Sequence, residues 1–384
     1  MKIPFSVPYR SVSELEYISD ALAIGNTAGG GLQTKWCVDW LEKLTGAKKV
    51  LLTNSATDAL EMSALLLGIE KGDEIIMPSF TFSSSANAFI LQGAKPVFID
   101  IEGQTLNIDP DLIIKAITSN TKALLIVHYA GVACDMERIL KICKDYSLFL
   151  IEDAAPSLMA TSHSKYLGTF GDLSCISFHA SKNIVAGEGG ALIINNSDFI
   201  ERAKVILEKG TNRDQFLNGV VDKYSWVDIG SSYVPSEITS AYLRSQLEYA
   251  HDITSNRINY WNQYKFNLEE SCLELGVRLS NPPTSAGHNA HAFFLLMPNA
   301  ELQRKFIEYM QRRQITCASH YVPLHNSKAG LRYGEIGSQM NVTEITYSRL
   351  VRLPMWSQKE MPVDYISKVV IDNLKLLLLN ARGG

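Results

Sequence analysis

The sequence predicts an α/β fold: a mainly parallel seven-stranded sheet with helices on both faces, followed by a smaller C-terminal α+β domain. Three observations carry this. Seven short, nearly continuous apolar runs recur between residues 50 and 195, as expected of parallel strands buried on both faces. Helical patterns separate most of them, the signature of strand–helix–strand units. After about residue 240 the texture changes to long helical stretches around one short strand, which divides the chain into residues 1–240 and 241–384.

The first strand is VLLTN (50–54), and NSAT (54–57) turns it into the helical pattern TDALEMSALLLGI. A strand that runs directly into a Ser- or Thr-capped helix leaves N–H groups and the positive end of the helix dipole free for a phosphate. An ordinary capped helix reads the same way. EIIMPS (74–79) follows, leading into SFTF, and then KPVFIDI (95–101) and ALLIVHY (123–129). The helical DMERILKICKDY precedes LFLIEDAA (148–155). LSCISFH (173–179) and GALIIN (190–195) complete the sheet, with the glycine cluster AGEGGAL between them. The second domain opens on the helical ITSAYLRSQLEYAHDITSNRINYWNQYKFNLEESCLELG. A polar break, SNPPTSAGHNAH, comes next. A strand (AFFLLM), a helix (ELQRKFIEYMQRRQ) and the loop ASHYVPLHNS follow.

Composition narrows the function classes. A net charge of −4 carries no basic excess, so nucleic acid is not the expected partner. No apolar run reaches the roughly 18 residues of a membrane span. MKIPFSVPYR lacks the apolar stretch and cleavage site of a signal peptide. Six cysteines stand at 37, 134, 143, 175, 272 and 317 without C-x-x-C spacing, which predicts reduced thiols in a cytoplasmic protein, with no metal site.

In an open α/β sheet, functional residues gather beyond the carboxyl ends of the strands. Here those ends bring Asn54, Ser55, Thr57, Ser79, Thr81, His128, Asp153, Ser177 and His179 toward one edge, with Lys182 just after, in SFHASKN. Taken singly, each has an ordinary reading. Lys182 is a solvated lysine, Asp153 a turn carboxylate, Phe82 a core ring and His128 a loop histidine. Together, a phosphate cradle, an aspartate, a flat apolar residue and a lysine match pyridoxal 5'-phosphate (PLP). That cofactor needs a lysine for its Schiff base and an acidic partner for its pyridinium nitrogen. A nicotinamide enzyme fits poorly, because AGEGGAL is not G-x-G-x-x-G and precedes a strand.

IPFSVPY, TNSATDAL, MPSFTF, GAKPVFIDI, VHYAG, IEDAA, SFHASKN, GEGGAL and HYVPLH resemble stretches of the DegT/DnrJ/EryC1/StrS sugar aminotransferases, over essentially the whole chain. The resemblance implies a PLP-dependent transferase of fold type I. It implies Lys182 as the Schiff-base lysine and Asp153 as the pyridinium partner. It implies that Ser177 holds the phosphate with Ala56 and Thr57, and that Phe82 stacks on the ring. It implies a homodimer with shared active sites, in which Lys209, Arg213 and the segment around Tyr233 reach the partner's site. It implies that His320, Tyr321 and His325 lie near the sugar nucleotide. VHYAGVACDM, EKGTNRDQF, VDKYSWVDIGSSY and HYVPLH are similar to the subgroup that aminates carbon 4 of dTDP-4-keto-6-deoxyglucose with L-glutamate as donor. Amination at another carbon, the opposite configuration and a non-catalytic regulator stay open. One departure stands out. The family usually has glutamine, sometimes histidine, three residues after the aspartate, and here that residue is Pro156, with Ser157 as the adjacent hydroxyl.

Overall fold

A computed structural model describes residues 2–25, 27–284, 286–358 and 360–382, the last five of these by backbone alone. All seven predicted strands are present: β1 (Lys49–Thr53), β2 (Glu74–Pro78), β3 (Lys95–Ile99), β4 (Thr121–Val127), β5 (Phe149–Asp153), β6 (Leu173–Ser177) and β7 (Gly190–Ile194). Several end one or two residues before their apolar runs do, because the chain there leaves the sheet to form the loops that carry the polar side chains. The sheet order is β1-β7-β6-β5-β4-β2-β3, and a two-residue strand, Glu335–Ile336, adds an eighth member beside β3. That strand is too short to leave a pattern in the sequence. β7 alone is reversed, antiparallel to both β1 and β6, and the other pairings are parallel.

Side chains of a strand alternate between faces, and the cores follow that period. On one face Met77, Leu125, Ile151, Cys175 and Leu192 pack with helices Ala56–Leu66 and Ser83–Ile90. On the other, Ile76, Ile99, Leu124, Ile126 and Leu150 pack with helices Pro110–Ala116 and Met136–Tyr146. Val50, Leu52, Ile176 and Ile193 meet helices Leu32–Thr45 and Glu237–Leu247. Each fully buried Leu or Ile contributes roughly 1.5–3 kcal/mol by leaving water. The helices start where capping residues predict. Ser55, Asp135, Ser236 and Asn299 each accept an N–H from the first turn.

A separate core lies beyond the sheet. The 25-residue helix Ala250–Glu274 begins against the large-sheet core with Ala250 and Ile253. It ends in a second core with Trp261, Tyr264, Leu268 and Cys272. The second core also takes Ile3, which bridges to Ile315, so the N-terminal segment crosses back to it. Strands Arg278–Leu279, Phe294–Leu296 and Leu350–Arg352 form its three-stranded sheet. We propose the long helix as the junction between the two domains. Phe80, Tyr129, Phe294 and Leu350 form an apolar seam between the two halves.

Candidate active site

The carboxyl ends of β4, β5 and β6 lie along one edge with the start of the helix after β1. A cavity of about 490 Å³ opens there, lined by residues from both halves of the chain. A larger cleft of about 780 Å³ near Glu102, Asp109, Asp135 and His163 has no lysine in its walls.

Asp153 is the last residue of β5 and is buried. Ser85 Oγ donates to its Oδ2 at 2.6 Å, the Ala155 N–H to its Oδ1 at 3.2 Å, and Cys175 Sγ to Oδ1 at 3.4 Å. Thr81 Oγ1 lies 2.8 Å from Ser85 Oγ. Because Ser85 spends its proton on Asp153, Thr81 is the donor in that pair. The carboxylate is therefore held from three sides.

Lys182 sits in the loop between β6 and β7. Its N–H donates to the His179 carbonyl at 2.9 Å, and the flanking Ala180 N–H donates to Gly187. Burial lowers the amine below its usual pKa. Arg352 acts in the same direction, and Asp153 and Cys175 pull the other way. The next residue, Asn183, is buried and donates to the Asn289 carbonyl at 2.9 Å, so a second-domain segment braces the lysine loop.

The helix Ala56–Leu66 starts at this edge. Ser55 Oγ caps the Asp58 N–H at 3.1 Å, and the Ser55 carbonyl accepts from Ala59 at 3.3 Å. The first-turn donors of Ala56 and Thr57 have no partner among the described residues, as helix geometry dictates. Thr57 Oγ1 meets Ser84 Oγ at 2.8 Å, so the N-termini of two helices converge. Gly190, paired in register with both Thr53 and Ser177, presses against this turn. A Cβ on Gly190 would lie 2.3 Å from the Ser55 carbonyl carbon and 2.4 Å from the Ala56 nitrogen. Gly190→Ala is expected to displace the helix start, destabilise the fold by about 1–3 kcal/mol, and weaken retention of a phosphate-bearing cofactor at least about tenfold. Melting and cofactor dissociation measure both, and wild-type retention would remove the cradle from the argument.

Of the predicted residues, Ala56, Thr57, Phe82, Asp153, Ser177, Lys182, His320 and Tyr321 line this cavity. Phe82 is 59% exposed at its rim. His325 is not in the wall. It is buried, with Ser79 Oγ 2.6 Å from its Nδ1 and accepting its N–H at 3.1 Å, so it pins the loop to the end of β2. Lys209 and Arg213 both pair with Glu208 outside the cavity, and Tyr233 is buried beneath the helix start, 3.5 Å from Glu61. Ser157 does not take over at Pro156. It is fully buried and donates to the His128 carbonyl at 3.4 Å. The Pro156 carbonyl instead accepts from Asn289 Nδ2 at 2.8 Å. His128 also turns inward, its Nε2 2.9 Å from the buried Glu152.

Sequence reasoning missed Tyr129, His291 and Arg352, which line the same cavity. Arg352 carried a signal, a charge inside the apolar run LVRLP. Tyr129 carried one as well, since it closes the predicted strand ALLIVHY beside His128. His291 carried none, because only the tertiary fold brings the segment before the strand Phe294–Leu296 to this edge. His291 and His320 are held well below the usual histidine pKa, first by burial and then by the nearby cations. Both are neutral.

This donor set fits PLP. Free first-turn N–H groups against a glycine-spaced strand suit its phosphate, a fixed buried carboxylate suits its ring nitrogen, and a lysine of lowered pKa suits its aldehyde. Comparison with known proteins agrees. A model of the DegT/DnrJ/EryC1/StrS aminotransferase family matches residues 11–371. The dTDP-4-dehydro-2,3,6-trideoxy-D-glucose 4-aminotransferase of Saccharopolyspora spinosa is 31% identical over 327 residues, covering 83% of each chain. The GDP-perosamine synthase of Escherichia coli O157:H7 is 29% identical over 324 residues, covering 84% of this chain and 85% of that one. The aminotransferase TlmJ from Streptoalloteichus hindustanus superposes with a TM-score of 0.90 at 25% identity, covering 98% of this chain and all of that one. The chain belongs to the DegT/DnrJ/EryC1/StrS aminotransferase family, a family of PLP-dependent enzymes.

Proposed function

We propose that this aminotransferase acts on a nucleotide-linked keto-sugar. It moves the amino group of L-glutamate to carbon 4 of dTDP-4-keto-6-deoxyglucose and gives dTDP-4-amino-4,6-dideoxygalactose. The observation that carries the reading is Lys182 and Asp153 facing one cavity below two converging helix N-termini. The names of two relatives support the acceptor class, one a 4-aminotransferase of a dTDP-linked dehydro sugar and the other a synthase of a GDP-linked amino sugar. The subgroup stretches, VHYAGVACDM and EKGTNRDQF among them, support the choice of sugar.

PLP, when bound, supplies a sink for the electron pair left as a C–H bond breaks. The residues of this chain do the rest. Ala56, Thr57 and Ser177 would hold its phosphate, Asp153 would accept from its ring nitrogen, and Phe82 would shield the ring from the rim. Lys182 moves a proton from the donor's α-carbon and returns one to carbon 4 of the sugar. Delivery from a single face would set the galacto configuration.

A homodimer belongs to this reading, with Lys209, Arg213 and the Tyr233 segment serving the partner's site. All three stand outside their own cavity. Leu217, Val220 and Trp226 (79% exposed) present apolar surface on the same stretch. Among the described residues no helix is long and apolar enough to cross a membrane. Six free, buried cysteines support a cytoplasmic location.

A pair of half-reactions tests the reading. Glutamate should convert the bound cofactor to its amine form, and dTDP-4-keto-6-deoxyglucose should then restore the aldehyde spectrum with a 4-amino galacto product. Conversion without restoration would discard this sugar and make the 3-keto isomer next. No conversion by any amino donor would end the reading.

A further inference from the structure

We propose that Arg352, with Tyr129, is the carboxylate-binding subsite for the amino donor. The inference rests on the aminotransferase reading above and adds to it which groups capture the amino acid.

Arg352 ends the strand Leu350–Arg352 of the second domain and reaches the cavity wall. Three features mark it as a ligand-binding cation. First, no carboxylate of the described residues lies within 4 Å of it, although most other buried or half-buried cations here have a partner. Its Nε is buried without a hydrogen-bond acceptor. Second, its surroundings are electropositive. Lys182 shares the cavity, and the buried Arg257 behind donates only to the carbonyls of Ala290, His291 and Met355. Asp153 is the buried counter-charge, and it is engaged with Ser85, Ala155 and Cys175. Third, the guanidinium is oriented. Its Cζ lies over the Phe5 ring, 4.9 Å from the centroid, and its Nη1 donates to His320 Nε2 at 3.1 Å.

That last bond fixes the neighbours. Neutral His320 accepts at Nε2, so its proton is on Nδ1 and is given to Tyr129 Oη at 2.8 Å. The Tyr129 hydroxyl proton is then free for a third group. Two unspent donors, a guanidinium edge and a phenol, therefore border the cavity that holds Lys182. A planar fork matches a carboxylate with two parallel hydrogen bonds. The position also selects the ligand. Arg352 lines the same cavity as Lys182, so it serves a charge attached near the reacting carbon. The α-carboxylate of an amino acid is on that carbon. In a 4-keto sugar nucleotide, the diphosphate lies across the ring from carbon 4.

The experiment compares wild type, Arg352→Gln and Arg352→Lys in separated half-reactions, with cofactor absorbance and melting temperature confirming that each variant folds and holds PLP. For Arg352→Gln, the apparent Kd for L-glutamate is expected to rise about 10- to 100-fold. Arg352→Lys, which keeps the charge and loses the fork, falls between. The reverse half-reaction from the 4-amino sugar should lose at most a few-fold, through the altered Lys182 and His320, and so far less than the glutamate half-reaction. Calorimetry with 2-oxoglutarate should lose affinity in parallel, independent of turnover. Equal losses in both half-reactions, loss confined to the sugar, or unchanged glutamate and 2-oxoglutarate binding would overturn the assignment. If wild type accepts no amino acid at all, the aminotransferase reading fails first, which is a distinct result.

Discussion

Lys182→Ala is expected to abolish turnover, a loss of at least about 10⁴-fold, because one side chain carries both the nucleophile and the proton-transfer base. The amine must be neutral to do either job. Burial favours the neutral form, Arg352 adds to that, and Asp153 opposes it, so the lysine is lowered without being stripped of its coupling to the carboxylate. The alanine variant should fold normally. The loop is held by backbone bonds at His179, Ala180 and Gly187 and by the Asn183 brace, none of which uses the lysine side chain. Lys182→Arg separates charge from chemistry, because guanidinium keeps the positive charge and cannot deprotonate at working pH. It should be as inactive as alanine. Borohydride should fix PLP to wild type only. Near-native turnover by either variant would remove Lys182 from the mechanism.

The sheet was legible because its strands are buried on both faces and leave unbroken apolar runs such as LLIV and LSCI. The residues at their carboxyl ends were legible for the same reason, since the topology of a parallel sheet sends them to one edge. What lay beyond reading was anything set by side-chain direction or by the second domain. Asp153 and Glu152 are neighbours in IEDAA, yet one lines the cavity and the other is locked to His128 and to the N–H groups of Gly168, Phe170 and Gly171. His320 and His325 both sit in HYVPLH, and only the first reaches the cavity. The backbone itself is involved there, because Tyr321 is held at φ +29°, a left-handed conformation costly for a tyrosine. Such a conformation persists only where packing fixes it, and here the Tyr321 ring stacks on His320 at 3.6 Å.

Asp153→Asn is expected to lower kcat/KM by on the order of 10²- to 10³-fold while leaving the fold intact. The substitution is nearly isosteric, and an amide oxygen can still accept from Ser85 at the same place. An amide carries no charge to balance a protonated ring nitrogen, and its NH₂ group donates where acceptance is required. The cofactor would bind with its ring nitrogen unprotonated and lose its capacity to take up electrons. A merely structural aspartate would shift the melting temperature and leave kcat alone, so the two readouts separate the roles. A third readout follows from electrostatics. Asp153 raises the Lys182 pKa, so its loss lowers that pKa further, and neutral lysine persists to lower pH. The acid limb of the single-turnover glutamate reaction should therefore move to lower pH even as its plateau falls. A plateau at the wild-type level with an unmoved acid limb would mean that Asp153 faces neither the cofactor nor the lysine in the working enzyme.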